Sequence, residues 1–274
     1  MLDSEMGPLC GVRGAAASGS VQGGTAQIVG GTAATPLEFP WQISLHLIQL
    51  PNTDLGHICG GSIINKQYVD TAAHCILDGY KSPSNYIVVI GDQNLNVVDP
   101  YEQRIAVANI MIHPQWNRST VNYDYALLKL ARPLNFTGSE KALMPICLPT
   151  PNQEFDGMTC TASGWGLTKD ESRGGRNLSQ SLQKVDLPIV AYTTCHDYYR
   201  FVNPVVQSTM ICAGPEAGGK GSCQKVIDKF DMSKKEVTKE LLLTLHNKIK
   251  YVLYYRNMKL YMRLELKVTK LQRY

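Results

Sequence analysis

The composition of the chain changes abruptly after residue 224. All 23 Gly, all 14 Pro and all 8 Cys lie within residues 1–224, and residues 225–274 contain none of the three. The charge changes at the same point, because the first part carries 14 Lys and Arg against 18 Asp and Glu, and residues 225–274 carry 13 against 5. Tight turns depend on Gly and Pro, so a turn-rich fold must be built from residues 1–224. Residues 225–274 are therefore interpreted as a basic tail outside the folded domain.

Residues 28–224 predict many short strands. Runs rich in β-branched and apolar residues, such as 86–90, 104–112 and 126–130, are separated by clusters of Gly, Pro, Asn and Asp. No helical periodicity intervenes, which favours an all-β barrel or sandwich. The preceding segment, residues 1–27, ends in a stretch of mostly Gly, Ala, Ser, Thr and Gln, a composition typical of flexible linkers.

The eight cysteines indicate the environment of the protein. They are too many for idle cytosolic thiols and too widely spread for one compact metal site, so we expect an oxidising, secreted location. The first residues lack the apolar core of a signal peptide. No run of about 18 apolar residues occurs, so we expect no membrane-spanning helix.

Short motifs follow one another in a fixed order along residues 28–224. They are Ile-Val-Gly-Gly at 28–31, Cys-Gly-Gly-Ser at 59–62, Thr-Ala-Ala-His-Cys at 71–75, Asp-Tyr-Ala-Leu-Leu-Lys-Leu at 124–130 and Gly-Trp-Gly at 164–166. This order closely resembles the trypsin/chymotrypsin family of serine endopeptidases over about residues 10–224. The resemblance implies the chymotrypsin-like double β-barrel and a Ser-His-Asp triad, with protein or peptide substrates and a monomeric chain.

The resemblance assigns two catalytic residues. His74 would be the general base, because a histidine can take a proton from a hydroxyl near neutral pH and return it to a leaving amine. Asp124 would fix the tautomer of His74 and stabilise its imidazolium form. The alternatives are a packing histidine beside Cys75 and an ordinary turn aspartate.

The resemblance also implies a zymogen. Ile28 would become a new N-terminus after cleavage at Gln27–Ile28 and would pair with an Asp just before the catalytic serine. The family members that trypsin activates carry Arg or Lys at the position of Gln27, and Arg13 is the only basic residue before Ile28. A trypsin-like activator should therefore not cut at this bond.

The catalytic serine motif is missing from its expected place. Family members carry Gly-Asp-Ser-Gly-Gly-Pro directly after a segment like residues 221–224, whereas this chain continues Lys-Val-Ile-Asp at 225–228. Ser222 lacks the surrounding Gly turn and does not replace the nucleophile. We expect a truncated, inactive form with a complete first barrel and an incomplete second barrel. Gly221 would form the floor of the specificity pocket, which favours apolar or small side chains.

The resemblance implies three disulfides and two orphan thiols. The implied pairs are Cys59–Cys75, Cys195–Cys212 and Cys10–Cys147. The family partners of the two remaining cysteines lie beyond the catalytic serine, which leaves Cys160 and Cys223 unpaired or bonded to each other.

A loop at residues 92–102 concentrates carboxylates. Oxygen-rich short loops suit Ca²⁺, and this loop resembles the calcium loop of pancreatic family members. The carboxylates of Asp92 and Glu102 and the backbone carbonyls of Asn94 and Val97 would be direct ligands, with Asp99 acting through water. A solvated acidic turn is the alternative.

Three sequons, at Asn117, Asn135 and Asn177, predict N-glycosylation of a secreted chain.

The tail, residues 225–274, has a capping box at 233–236 and a helical apolar face, yet its composition favours read-through into non-coding sequence. A non-catalytic binding protein built on the protease scaffold is the alternative function. Nucleic-acid binding would rest on the tail alone, and we do not expect it.

Overall fold

The computed structural model describes residues 10–14, 31–149, 153–166, 179–201 and 203–215. Within them the protein is mostly strand with little helix. The strands, in chain order, are β1 (Thr32–Ala33), β2 (Gln42–Gln49), β3 (Thr53–Ile63), β4 (Tyr68–Thr71), β5 (Tyr86–Ile90), β6 (Gln103–Ile112), β7 (Ala126–Leu130), β8 (Thr159–Gly164), β9 (Gln183–Val190) and β10 (Cys212–Ala213). One α-helix, α1 (Tyr192–Tyr199), and two short 3₁₀ turns, Ala73–Cys75 and Pro83–Asn85, accompany them.

Six antiparallel strands close into a barrel in the order β2-β3-β4-β7-β6-β5. The three apolar runs identified in the sequence correspond to β5, β6 and β7, so their prediction is confirmed. The barrel is filled by side chains with no exposed surface, among them Ile43, Leu45, Val88, Ile90 and Leu128. Successive residues of a strand point to opposite faces, so each strand supplies every second residue to this core.

The second half of the domain is built around β9. Strand β8 pairs along one edge of β9, and β1 and β10 pair with the two ends of the other edge. In β9 buried residues alternate with more exposed ones, and its inner face packs against β8 and β10 through a small core of Ala162, Val185, Leu187, Ile189 and Ala213. Over the described residues this sheet is open, whereas the first barrel is closed.

Helix α1 was not predicted. Its sequence is polar and aromatic without an apolar stripe, and Cys195 is its only buried residue. The disulfide between Cys195 and Cys212 attaches this helix to β10. The disulfide, with Tyr192 and Tyr199 packed around it, supports a helix that has no apolar stripe to reveal it in the sequence.

Polar contacts join the two halves. The hydroxyl of Ser163 donates to Oε1 of Gln42 at 2.8 Å, and Asn94 forms an isolated β-bridge with Ser181. The described N-terminal arm, residues 10–14, crosses the same boundary, because Arg13 donates to Thr161 of β8 at 2.5 Å. Among the described residues, no helix is long and apolar enough to cross a membrane.

Candidate active site

Strand register brings the two predicted catalytic residues together. Strands β4 and β7 are antiparallel, with Thr71 at the end of β4 opposite Ala126 at the start of β7. His74 follows Thr71 by three residues on a 3₁₀ turn, and Asp124 precedes Ala126 by two. Both side chains therefore lie at the same end of this strand pair, although 50 residues separate them in sequence.

The carboxylate of Asp124 holds His74 through both of its oxygens. Oδ2 lies 2.5 Å from Nδ1 of His74, and Oδ1 accepts the backbone N–H of His74 at 2.8 Å. A carboxylate only accepts hydrogen bonds, so Nδ1 carries a proton, and in the neutral imidazole Nε2 is the nitrogen that keeps its lone pair. The side chain of Asp124 is 5% exposed and that of His74 is 24% exposed, so the imidazole remains accessible.

A disulfide fixes the turn that carries His74. Cys75 bonds to Cys59 of β3, and Sγ of Cys75 lies 3.7 Å from Nε2 of His74. The sulfur atoms of Cys59 and Cys75 lie close enough to His74 to suggest a metal site. Both are bound in the disulfide, however, and cannot act as thiolate ligands. The cluster therefore positions the imidazole.

A second serine–histidine contact was not predicted from the sequence. Oγ of Ser44 lies 2.7 Å from Nδ1 of His57, whose ring meets Trp165 edge-on at 5.3 Å. Ser44 has no exposed surface, so a substrate carbonyl cannot reach its hydroxyl. Only the pairing of β2 with β3, which contains a register shift between Leu45 and His46, creates this contact.

The acidic loop gathers its three carboxylates at one point. Carboxylate oxygens of Asp92, Asp99 and Glu102 all lie within 4.8 Å of one another. Oδ2 of Asp99 accepts the backbone N–H groups of Gln93 and Asn94 at 2.7 and 2.9 Å, which folds the loop back on itself. The predicted carbonyl ligands, Asn94 and Val97, lie in the same turn, where the Val97 N–H donates to the Asn94 carbonyl at 3.0 Å.

The loop closes at a position that only glycine can occupy. Gly91 has φ +70, and a Cβ there would lie 2.2 Å from the carbonyl oxygen of Tyr101. This close approach brings the two ends of the loop together, so that Asp92 and Glu102 lie side by side.

Asp92 is a buried acid with one carboxylate oxygen that lacks a hydrogen-bond partner. Its Oδ1 is buried and unpaired, and the residue is 8% exposed. Burial and the neighbouring carboxylates of Glu102 and Asp99 raise the pKa of Asp92 to about 7. A buried, unpaired carboxylate oxygen facing two further carboxylates fits a hard cation such as Ca²⁺, which would supply the missing positive charge.

A second buried acid, Asp70, lies in β4 on the strand that leads to His74. Asp70 is 4% exposed, and its Oδ1 accepts the backbone N–H of Ser62 at 2.7 Å. Burial raises the pKa of Asp70 to about 7, against an ordinary value of 3.8.

Three disulfides are present in the described residues: Cys10–Cys147, Cys59–Cys75 and Cys195–Cys212. They are the same three pairs that the sequence resemblance implies. Cys160 in β8 is a free, half-buried thiol whose pKa is raised mainly by burial.

Several predicted residues lie outside the described part of the chain. They are Ile28, Asn177, Gly221 and Cys223, together with the tail. The sequon residues Asn117 and Asn135 are described and exposed on two loops of the first barrel.

Comparison with known proteins supports the same assignment. The Trypsin family model matches residues 28–225 of this chain. The chain is 39% identical over 201 residues to ovochymase-2 of Mus musculus, with 72% of this chain and 31% of ovochymase-2 covered. It is 38% identical over 201 residues to trypsin-1 of Astacus astacus, with 72% of this chain and 78% of trypsin-1 covered. The chain thus spans about a third of the length of ovochymase-2.

A closed six-stranded barrel that presents a histidine–aspartate pair at one end defines a chymotrypsin-like protein. The chain belongs to the trypsin family, as the family match and both relatives show. The predicted family and fold class are therefore confirmed.

Proposed function

We propose that this chain is a serine-endopeptidase homologue that assembles the general-base pair and lacks the nucleophile. The observation that carries the proposal is the contact of Asp124 with both Nδ1 and the backbone N–H of His74, in a chain that has no Gly-Asp-Ser-Gly-Gly-Pro after Gln224. The proposed domains are a propeptide-like segment 1–27, a protease domain 28–224 and a basic tail 225–274.

The histidine–aspartate pair can hold and move a proton but cannot attack a peptide bond. With its Nδ1 proton held by Asp124, His74 can accept a proton at Nε2 from a hydroxyl placed beside it. Acyl transfer needs that hydroxyl to form the acyl-enzyme and needs backbone N–H groups to stabilise the oxyanion. In the family both come from the serine motif, and here residues 225–228 are Lys-Val-Ile-Asp.

The proposed ligands are proteins or peptides, as the family implies. Binding without hydrolysis is the second candidate function, and a ligand could reach His74, whose side chain is partly exposed beside a buried Asp124. Activation of a zymogen by cleavage at Gln27–Ile28 is also proposed. In the family the new N-terminus pairs with the Asp of the serine motif, and that motif is missing after Gln224.

A protein-hydrolysis assay tests the proposal. We expect the full chain to release no peptides from an unfolded protein substrate above the level of the matched variant His74→Ala, because residues 225–228 carry no serine in place of the family nucleophile. An active trypsin serves as the positive control. Peptide release that disappears in His74→Ala would show that a nucleophile is present and would refute the proposal.

We further propose a secreted, N-glycosylated chain. Oδ1 of Asn117 accepts the N–H and the hydroxyl of Ser119 at 3.0 and 2.7 Å, and Oδ1 of Asn135 accepts the N–H and the hydroxyl of Thr137 at 3.2 and 3.0 Å. Expression through a secretory pathway should attach glycans that a glycosidase removes, and Asn117→Gln and Asn135→Gln should each lose one. An unmodified mass for the secreted chain would contradict this.

The loop at residues 92–102 is proposed as a structural Ca²⁺ site. Asp92, Asp99 and Glu102 would hold the ion together with the carbonyls of Asn94 and Val97. The ion would offset most of the negative charge of the three converging carboxylates and stabilise the folded loop.

Calcium should therefore raise the thermal unfolding midpoint of the full chain. An ion at 100 times its dissociation constant stabilises a protein by about 2.7 kcal/mol. We expect Glu102→Gln to abolish the response and Asp78→Asn, an exposed acid outside the loop, to keep it. The response should weaken below pH 7, because protons compete for Asp92. An unchanged midpoint in millimolar Ca²⁺ would identify the loop as an ordinary acidic turn.

A further inference from the structure

The backbone just before Asp124 is strained. Val121 and Tyr123 have φ values of 52 and 56, in the left-handed region that non-glycine residues rarely adopt. Val121 is β-branched, which makes this conformation especially unfavourable. Asp124 follows directly, so the direction of its carboxylate depends on this turn being held in place.

Contacts within the loop account for part of the restraint. The backbone N–H of Asn117 donates to the carbonyl of Asn122 at 3.1 Å. The side-chain oxygen of Asn122 accepts the N–H of Tyr123 at 2.9 Å, and the Tyr123 ring stacks on His113 at 4.6 Å. These contacts all lie within residues 113–123, beside the end of β6, so they come from the first barrel alone.

Two side chains from the second half hold the turn from outside. Nδ2 of Asn203 donates to the backbone carbonyl of Thr120 at 2.8 Å. The hydroxyl of Thr209 donates to Oδ1 of Asn122 at 2.6 Å, the same oxygen that accepts the N–H of Tyr123. Asn203 is 9% exposed and Thr209 is 5% exposed, so neither bond is easily replaced by water.

The segment that carries these side chains is itself anchored. Residues 203–209 lie inside the loop closed by the Cys195–Cys212 disulfide. The backbone N–H of Asn203 donates to the carbonyl of Tyr199 in α1 at 3.0 Å, and the N–H of Thr209 donates to the carbonyl of Val206 at 3.0 Å. The two side chains therefore come from a fixed support.

We propose that Asn203 and Thr209 are positioning residues for the histidine–aspartate pair. They clamp the strained turn 117–123 and thereby keep the carboxylate of Asp124 against His74. The inference rests on the proposed function only in that it takes His74 and Asp124 as the general-base pair. It adds that the second half of the domain sets the geometry of a pair that belongs entirely to the first barrel.

The test reads the proton on Nδ1 of His74 by NMR in the full chain, labelled with ¹⁵N-histidine. A proton held between an imidazole and a carboxylate resonates at low field and exchanges slowly with water, and His74→Gln assigns it. Thr209→Val should speed its exchange about tenfold, the effect of losing one hydrogen bond. Asn203→Ala should act in the same direction, and Thr209→Ser, which keeps the hydroxyl, should restore slow exchange.

Ser163→Ala is the matched control. It also removes a buried hydroxyl that bridges the two halves, but the partner of that hydroxyl is Oε1 of Gln42 and not the turn 117–123. It should leave the His74 resonance unchanged even if it lowers the unfolding midpoint.

The outcomes separate the inference from the proposed function. Unchanged exchange in folded Thr209→Val and Asn203→Ala would overturn the positioning role, as would an equal effect of Ser163→Ala. If Thr209→Val does not fold, Asn203→Ala and Thr209→Ser still decide the question. Hydrolysis or active-serine labelling by the chain would refute the proposed function and leave the positioning role intact.

Discussion

Raising the pH from 4 to 7 should lower the free energy of unfolding by up to about 4 kcal/mol through Asp70 alone. The pKa of Asp70 is about 7 in the folded protein and 3.8 in an exposed reference state. Between these values the unfolded chain releases a proton that the folded chain retains, so the unfolded state becomes relatively more stable as pH rises. Above pH 7 both states are ionised and the loss is complete.

The variant Asp70→Asn isolates this contribution. An amide stays neutral and keeps an oxygen to accept the backbone N–H of Ser62, so it removes the titration and keeps the hydrogen bond. Urea unfolding should show the variant several kcal/mol more stable than the wild type at pH 7.5 and almost equal to it at pH 4. The slope of the unfolding free energy against urea concentration should be the same for both proteins. Asp92 titrates in the same window, so Asp92→Asn is the parallel measurement. Equal stability of wild type and Asp70→Asn at pH 7.5 would show that Asp70 is not buried as described.

Much of the first barrel could be predicted from local patterns. The sequence run 86–90 is apolar throughout and lies between Asn and Gly, and it forms β5 with those bounds. Helix α1 could not be predicted, because its support is a disulfide to a strand 17 residues beyond Cys195. Burial of Asp70 also escaped prediction, since an acid in a strand normally faces solvent.

The candidate site could be predicted only in part, because local sequence patterns do not show contacts between distant residues. His74 and Asp124 occur in recognisable motifs, so the resemblance named them, and the β4–β7 register explains their meeting. Asn203 and Thr209 carry no motif. Their role depends on hydrogen bonds across 83 and 87 residues and on positive φ values, which composition and periodicity do not report.

The largest expected effect is the complete absence of covalent serine chemistry. A fluorophosphonate reacts with a serine hydroxyl only when a base and an oxyanion hole activate it. In this fold, loss of triad residues alone leaves about 10³–10⁴-fold acceleration, which arises from the oxyanion hole and substrate binding. Here the segment that would supply both the nucleophile and the hole reads Lys-Val-Ile-Asp at 225–228. Residues 225–228 thus contain no serine at the place of the family nucleophile, so labelling should not rise above background.

Intact-mass spectrometry of the full chain after incubation with a fluorophosphonate tests this account most directly. An active trypsin, treated in parallel, should gain one phosphonyl group per molecule. We expect an unchanged mass for this chain and for His74→Ala alike. Stoichiometric labelling of the unaltered chain that disappears in His74→Ala would contradict it, because it would reveal a serine that the His74–Asp124 pair activates.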